Sequence, residues 1–167
     1  MAGPAYPSAM DVAPGEPAAD GGRSRVVALH RRLSAPPHRV FRAWSDPEEL
    51  ARWLPSRIEG DLAVKARSVL VWPDERVWWD VIVAEPDRSF VFRRAWTPDE
   101  RVVTRVTVTI SPLGDGCRLD LEDGPFPIDR AEGLEGWARA IEHWTAALAQ
   151  LRAHLDFSVD LRWRAAS

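Results

Sequence analysis

APPHRVFRAWSDPEELARW, residues 35–53, writes out two short helices and the punctuation between them. Pro36 and Pro37 end any strand that precedes them, because proline fixes φ and offers no ladder donor, yet both are tolerated in the first turn of a helix. The spacing predicts a helix running to Trp44. Asp46 then caps a second helix with Pro47 at its first position, and Glu49 three residues on completes a capping-box pattern.

On the N-terminal side, Val27, Leu29 and Leu33 recur with period two from Arg25, which predicts a strand ending at the double proline. On the C-terminal side, apolar and β-branched runs are broken by turn clusters at 72–75, 85–87, 97–100 and 114–116, the pattern of an antiparallel meander. Its clearest strand, 102–110, puts Val102, Thr104, Val106, Val108 and Ile110 on one face and Arg101, Val103, Arg105, Thr107 and Thr109 on the other. Cys117, Leu119 and Leu121 repeat the pattern against Arg118, Asp120 and Glu122, so one sheet face needs a cover. The predicted cover is a helix over about 129–155, where Leu134, Trp137, Ile141, Trp144, Leu148, Leu151 and Leu155 recur at steps of three and four. At 1.5 Å per residue it is about 40 Å long, enough to cross a whole sheet.

The 167 residues suit one domain. Residues 1–22 are rich in alanine, proline and glycine without an apolar period, and are predicted to be a disordered tail ahead of a domain over 23–156. A C-terminal extension, 157–167, alternates Phe157, Val159, Leu161 and Trp163 with Ser158, Asp160, Arg162 and Arg164, a candidate edge strand through which two copies could pair. One cysteine excludes an internal disulfide, and the first residues carry neither the basic start nor the apolar run of a secretory signal, so a cytoplasmic location is expected. Twenty-two basic residues against 25 acidic ones, a formal charge of -3, argue against a nucleic-acid partner. No stretch is long and apolar enough for a membrane span.

The order strand, two short helices, meander, long helix resembles the α+β helix-grip fold of the START/birch-pollen-allergen-like (SRPBCC) superfamily, with an antiparallel sheet of six to seven strands. Ala35-Pro36-Pro37 followed by Val40-Phe41, then Ser45-Asp46-Pro47-Glu48-Glu49-Leu50 and Trp53, and later Gly136-Trp137, look like the motifs of bacterial domains similar to the C-terminal domain of the heat-shock-protein-90 ATPase activator. The resemblance covers roughly 25–155. It departs at 61–67, where relatives often carry a glycine-rich arginine-proline turn. The resemblance implies a cavity between sheet and last helix, with Trp53, Trp79 and Trp137 near it.

Nine tryptophans are a large number for this length. They could line a ligand cavity or simply fill a core, and the core reading is preferred for Trp44 and Trp144. Phe90 and Phe92 share the predicted inner face. Arg94 is in phase with them, which would aim its guanidinium at the apolar side; either an anion waits there, or the side chain snorkels out from a strand end. Arg31, in phase with Leu29 and Leu33, raises the same pair of readings. His143 and His154 are separated by roughly 16 Å of helical rise and cannot share a metal. No zinc spacing, nucleophile elbow or phosphate-cradling loop occurs. Cys117 reads as a small buried hydrophobe.

The expectation is therefore a non-enzymatic module without metal, cofactor or catalytic residues. It would hold a small hydrophobic or amphipathic ligand with Trp53, Trp79, Phe90, Phe92, Arg94, Trp137 and Ile141. The alternatives are a polyketide aromatase/cyclase-like enzyme, drawing on Arg31, Arg94 and His143, and a chaperone-associated interaction domain.

Overall fold

The computed structural model describes residues 22–162. The predicted tail, Gly22 apart, and residues 163–167 with Trp163 lie outside the described residues. Strand β1 (Ser24–Leu33) leads into α1 (Pro37–Ser45) and α2 (Pro47–Leu50). Then come β2 (Arg57–Glu59), β3 (Arg67–Val71), β4 (Arg76–Glu85), β5 (Ser89–Ala95), β6 (Val103–Leu113) and β7 (Gly116–Pro127), and finally α3 (Ala131–Phe157). The seven strands make one antiparallel sheet in the order β1-β7-β6-β5-β4-β3-β2, so β1 closes onto the end of the meander. This is the α+β helix-grip fold. No helix among the described residues is long and apolar enough to cross a membrane.

The period-two faces fall as the sequence predicts. Thr104, Val106, Val108 and Ile110 of β6 and Cys117, Leu119 and Leu121 of β7 are buried beneath α3. Between α3 and the sheet lies an aromatic cluster: Trp79 stacks on Phe92 at 3.8 Å, Trp44 meets Trp53 edge-on at 5.0 Å, and Trp144 reaches Trp44, Trp79 and Phe92 at 6.1 to 6.4 Å. Offset and edge-on contacts of this kind add to the area term for such large side chains.

Three local expectations are corrected. The first half of α3 does not bury Leu134, Trp137 and Ile141 as the heptad-like stripe predicts; Leu134 is 49% and Ile141 36% exposed, Trp137 is half-buried, and Gly133, Gly136 and Ala140 are buried instead. The cause is close approach: a Cβ on Gly133 would stand 1.9 Å from the Pro127 carbonyl oxygen, and one on Gly136 would touch Val102, Trp96 and Phe126 at 3.4 to 3.6 Å. The sheet supplies the bulk there, so the helix must be thin.

The second correction concerns α2. Asp46 accepts from the backbone N–H of Glu48 at 2.9 Å and Glu49 at 3.3 Å, as a cap should. The reciprocal half of the box is missing, because Glu49 turns to Arg52 at 3.2 Å and His154 at 3.7 Å while the Asp46 N–H donates to the Arg42 carbonyl. The third concerns the extension: Phe157 ends α3, Ser158 caps it in the left-handed conformation, and the described part of the extension forms no strand. Arg162 there donates to the carbonyl oxygens of Ala51 at 2.6 Å and Pro55 at 2.7 Å, laying the chain back on α2.

Candidate functional site

Arg94 is the chemical exception in this core. Strand alternation from Phe90 and Phe92 carries it to the inner face, where the side chain is only 2% exposed. Its guanidinium lies 3.6 Å over the Trp96 ring, a desolvated cation–π contact. The hydrogen bonds it makes are long: Nε to the Ala95 carbonyl at 3.4 Å and Nη1 to His143 Nε2 at 3.4 Å. No carboxylate stands within ion-pair distance of it among the described residues. Burial pushes its pKa down, to about 10, with the charge of Asp123 opposing the fall, so Arg94 stays protonated at neutral pH.

Around Arg94 the surroundings divide into a fully buried side and a half-buried side. On the fully buried side, the Trp96 indole N–H donates to Thr104 Oγ1 at 3.0 Å, the Thr104 hydroxyl donates to Asp123 Oδ1, and the Trp144 indole N–H donates to Asp123 Oδ2 at 2.8 Å. Asp123 has no exposed surface; burial raises its pKa to about 6, against the lowering effect of its hydrogen-bond donors. Its two oxygens are thereby committed to protein donors, which is why it acts on Arg94 through space and not by contact. On the half-buried side stand His143 and Trp72, with rings 6.0 Å apart. Burial, then the Arg94 charge, push His143 down to about 3, so the imidazole is neutral and can accept from Arg94 through Nε2. Glu75 and Arg139 contribute opposing charges to the field at Arg94.

Period-two reading of β7 carries past Leu121 to Asp123, and the same reading of β6 names Thr104, but alternation alone does not join the two. A carboxylate in phase with an apolar strand face was the available signal.

The anticipated ligand residues do not all converge. Trp79, Phe90 and Phe92 have no exposed surface and Trp53 has 1%, so these four are enclosed by protein on every side. Trp53 serves the α1–α2 corner, donating from Nε1 to the Ala43 carbonyl at 3.0 Å. Arg94 meets His143, but at 3.6 residues per turn Trp137 lies roughly 120° and Ile141 roughly 160° around α3 from His143, on its other flank. Two enclosed indoles, Trp44 and Trp79, and the half-buried Trp137 have an N–H without an acceptor among the described residues. Arg31 is half-buried with Nε also unpaired, so its side chain neither snorkels fully free nor finds a counter-charge there. Cys117 is buried, and burial raises its pKa, the opposite of nucleophile activation. Among the described residues no group of His, Cys, Asp and Glu is placed to hold a metal. An open depression of about 540 Å³, lined by Pro37, His38, Asp87, Arg88, Ile110, Ser111 and Pro112, sits at the opposite end of β5 from Arg94 and contains none of the anticipated residues.

Residues 34–156 match the family described as Activator of Hsp90 ATPase homolog 1-like protein. The chain belongs to that family. No curated protein matches the sequence. Among solved structures, protein MLL2253 from Mesorhizobium loti is similar over 82% of this chain and 100% of its own, at 24% identity and a TM-score of 0.70. The Aha1 dimer from Colwellia psychrerythraea aligns over 80% and 97% at 13% identity and a TM-score of 0.69. CalU16 from Micromonospora echinospora aligns over 85% and 81% at 21% identity and a TM-score of 0.66. At these identities the likeness is one of fold. Within this Hsp90 ATPase activator homolog-like domain, the glycine-tryptophan pair at 136–137 gains a physical meaning: Gly136 lets α3 down onto Trp96, the ring that carries Arg94.

Proposed function

We propose that this domain, working in the cytoplasm, binds a small hydrophobic or amphipathic molecule between the sheet and α3, without catalysing its conversion. One observation carries the reading: a protonated guanidinium is buried on an aromatic floor with no carboxylate of the described residues in contact, and with the half-buried His143 and Trp72 as its least enclosed neighbours. A buried charge without a partner is costly and is seldom kept unless it is used. Trp53, Trp79, Phe90 and Phe92 form the packed wall behind this point, and a ligand body reaching Trp79 must part its stack with Phe92. Trp137 and Ile141 offer apolar surface on the helix's other flank as secondary contacts. Native mass spectrometry of gently purified protein, joined to a tryptophan-fluorescence screen against apolar and amphipathic compounds, tests the reading. A protein that carries nothing and responds to no compound would end it.

A polyketide aromatase/cyclase-like activity is a second reading, favoured by the neutral imidazole of His143 beside Arg94, an acceptor and a charge within one site. Product formation from a polyketide-like substrate that disappears in Arg94→Met would move the assignment to an enzyme. The Aha1 dimer among the similar structures keeps a chaperone-associated role and a homodimer in view. Pull-down with an Hsp90-type chaperone, and sedimentation of the full chain against one ending at Asp156, decide these two.

A further inference from the structure

The chemistry around Arg94 narrows the ligand class, on the footing that the site binds a small molecule at all. We infer that the ligand is a monocarboxylate with an apolar body, its carboxylate taking the open donors of Arg94 and its body lying along Trp72 and His143.

The first ground is donor supply. A guanidinium has five N–H groups, and Arg94 directs only two long hydrogen bonds at protein acceptors, both at 3.4 Å. Its planar fork matches a carboxylate better than a single carbonyl or hydroxyl, which would satisfy one donor and leave the charge unpaired. The second ground is the absence of an internal rival. Asp123 is the nearest acid of the core, and the Thr104 hydroxyl and the Trp144 indole hold its oxygens away. That arrangement leaves the arginine open to a charge from outside.

The third ground sets the ligand's charge. Arg94 and Asp123 are buried charges of opposite sign, while Arg139 and Glu75 act on Arg94 from exposed positions with opposing effects. His143 is kept neutral by burial and by Arg94 and adds no positive charge. One negative charge pairs with Arg94; a dianion such as a phosphate monoester would bring a second charge that the buried Asp123 opposes and that only the exposed, solvent-screened Arg139 could meet. The walls are aromatic, Trp72, Trp96 and Trp144, so the body they suit is apolar or aromatic.

The test compares acids with alcohols of the same skeleton, using the full chain at pH 7.5: 2-naphthoate against 2-naphthylmethanol, and decanoate against decanol, by calorimetry and tryptophan quenching. The expected result is that within at least one pair the acid binds tenfold or more tightly than the alcohol, the effect of one charge-assisted contact. The advantage should disappear in Arg94→Met and survive in part in Arg94→Lys. A preference for the naphthyl or the decyl pair separates an aromatic acid from a fatty acid as the source. Equal or weaker binding of both acids overturns the monocarboxylate while leaving small-molecule binding intact. No binding by any of the four overturns the monocarboxylate, and the broad fluorescence screen then decides whether small-molecule binding survives it. The acid-against-alcohol comparison uses the wild-type protein alone, so it stands if a variant fails to fold.

Discussion

Replacing Arg94 by methionine should stabilise the ligand-free protein, an unusual outcome for a fully buried position. Burial lowers the Arg94 pKa from the ordinary arginine range to about 10, and at about 1.4 kcal/mol per unit the charge costs the fold about 3 kcal/mol. Against that stands the cation–π contact with Trp96 at 3.6 Å, worth about 2 kcal/mol when desolvated. The 3.4 Å hydrogen bonds are too long to add much. Methionine keeps an unbranched apolar stem that adapts to the gap left by the guanidinium. The net expectation is a gain of about 1 kcal/mol, or roughly 2–4 °C in melting temperature for a domain of this size. Urea unfolding followed by tryptophan fluorescence and by far-ultraviolet circular dichroism, with Arg94→Lys as the charge-retaining control, measures it. The lysine variant should show no gain. A loss of 2 kcal/mol or more in Arg94→Met would mean that the guanidinium holds the core together, and the reasoning that reads it as a vacant anchor would be refuted.

Three further outcomes follow from the geometry. Asp123 titrates at about 6 in the fold against an ordinary 3.8, so the folded state binds more protons between these values; its contribution is present below pH 3.8 and is lost as pH rises through 6. The stability of wild type relative to Asp123→Asn should therefore fall by about 3 kcal/mol between pH 3 and pH 7, and parallel curves in urea titrations across that range would contradict it. Gly133→Ala must push Cβ into the Pro127 carbonyl, 1.9 Å away, and should cost about 1–3 kcal/mol as an overpacked contact. Gly136→Ala, with its nearest contacts at 3.4 to 3.6 Å, should be close to neutral, and equal melting temperatures for the two variants would refute the close-approach argument. Asp156 accepts from the backbone N–H of Ser34 at 3.0 Å and of Ala35 at 3.1 Å; Asp156→Ala should lose about 1.5–3 kcal/mol in chemical denaturation, and a loss under 0.5 kcal/mol would show that water replaces the contact.

The fold was legible because its signals are local. Proline and an aspartate cap mark α1 and α2, and strict alternation marks β6 and β7, which needs no knowledge of what lies opposite. The face of α3 was legible only where the sheet leaves room. From Trp144 onward the helix buries Leu148, Leu151 and Leu155 as the periodicity predicts, but ahead of it Trp96 and Phe126 fill the space and the buried residues are glycines and an alanine. A small residue carries no hydropathy signal, so the stripe of larger residues beside it drew the reading to the wrong flank. Asp156 went unread, although an acid in the last helical turn opposes the helix dipole and calls for a fixed partner. That partner, the β1–α1 corner, is 121 residues away in sequence for Ala35 and could not be named from spacing.

The candidate site was half legible. The phase of Arg94 with Phe90 and Phe92 is a sequence fact, and the structure buries the guanidinium, so the side chain does not snorkel out. Its neighbours are another matter: Trp96 follows the end of β5, Thr104 and Asp123 come from β6 and β7, and His143 and Trp144 from α3, so only sheet register and the packing of the helix join them. Phe90 and Phe92 were read onto the inner face, where both are buried, and Trp53 and Trp79 were placed near it by resemblance; whether a buried aromatic lines a space or fills one depends on volumes that a sequence does not contain.

The most direct test of the account is a crystal structure of the full chain grown with 2-naphthoate. The account predicts the carboxylate within about 3.2 Å of the Arg94 guanidinium, with the rings between Trp72 and His143. Carboxylate density confined to the depression beside His38 and Arg88, with the surroundings of Arg94 unchanged, would contradict it.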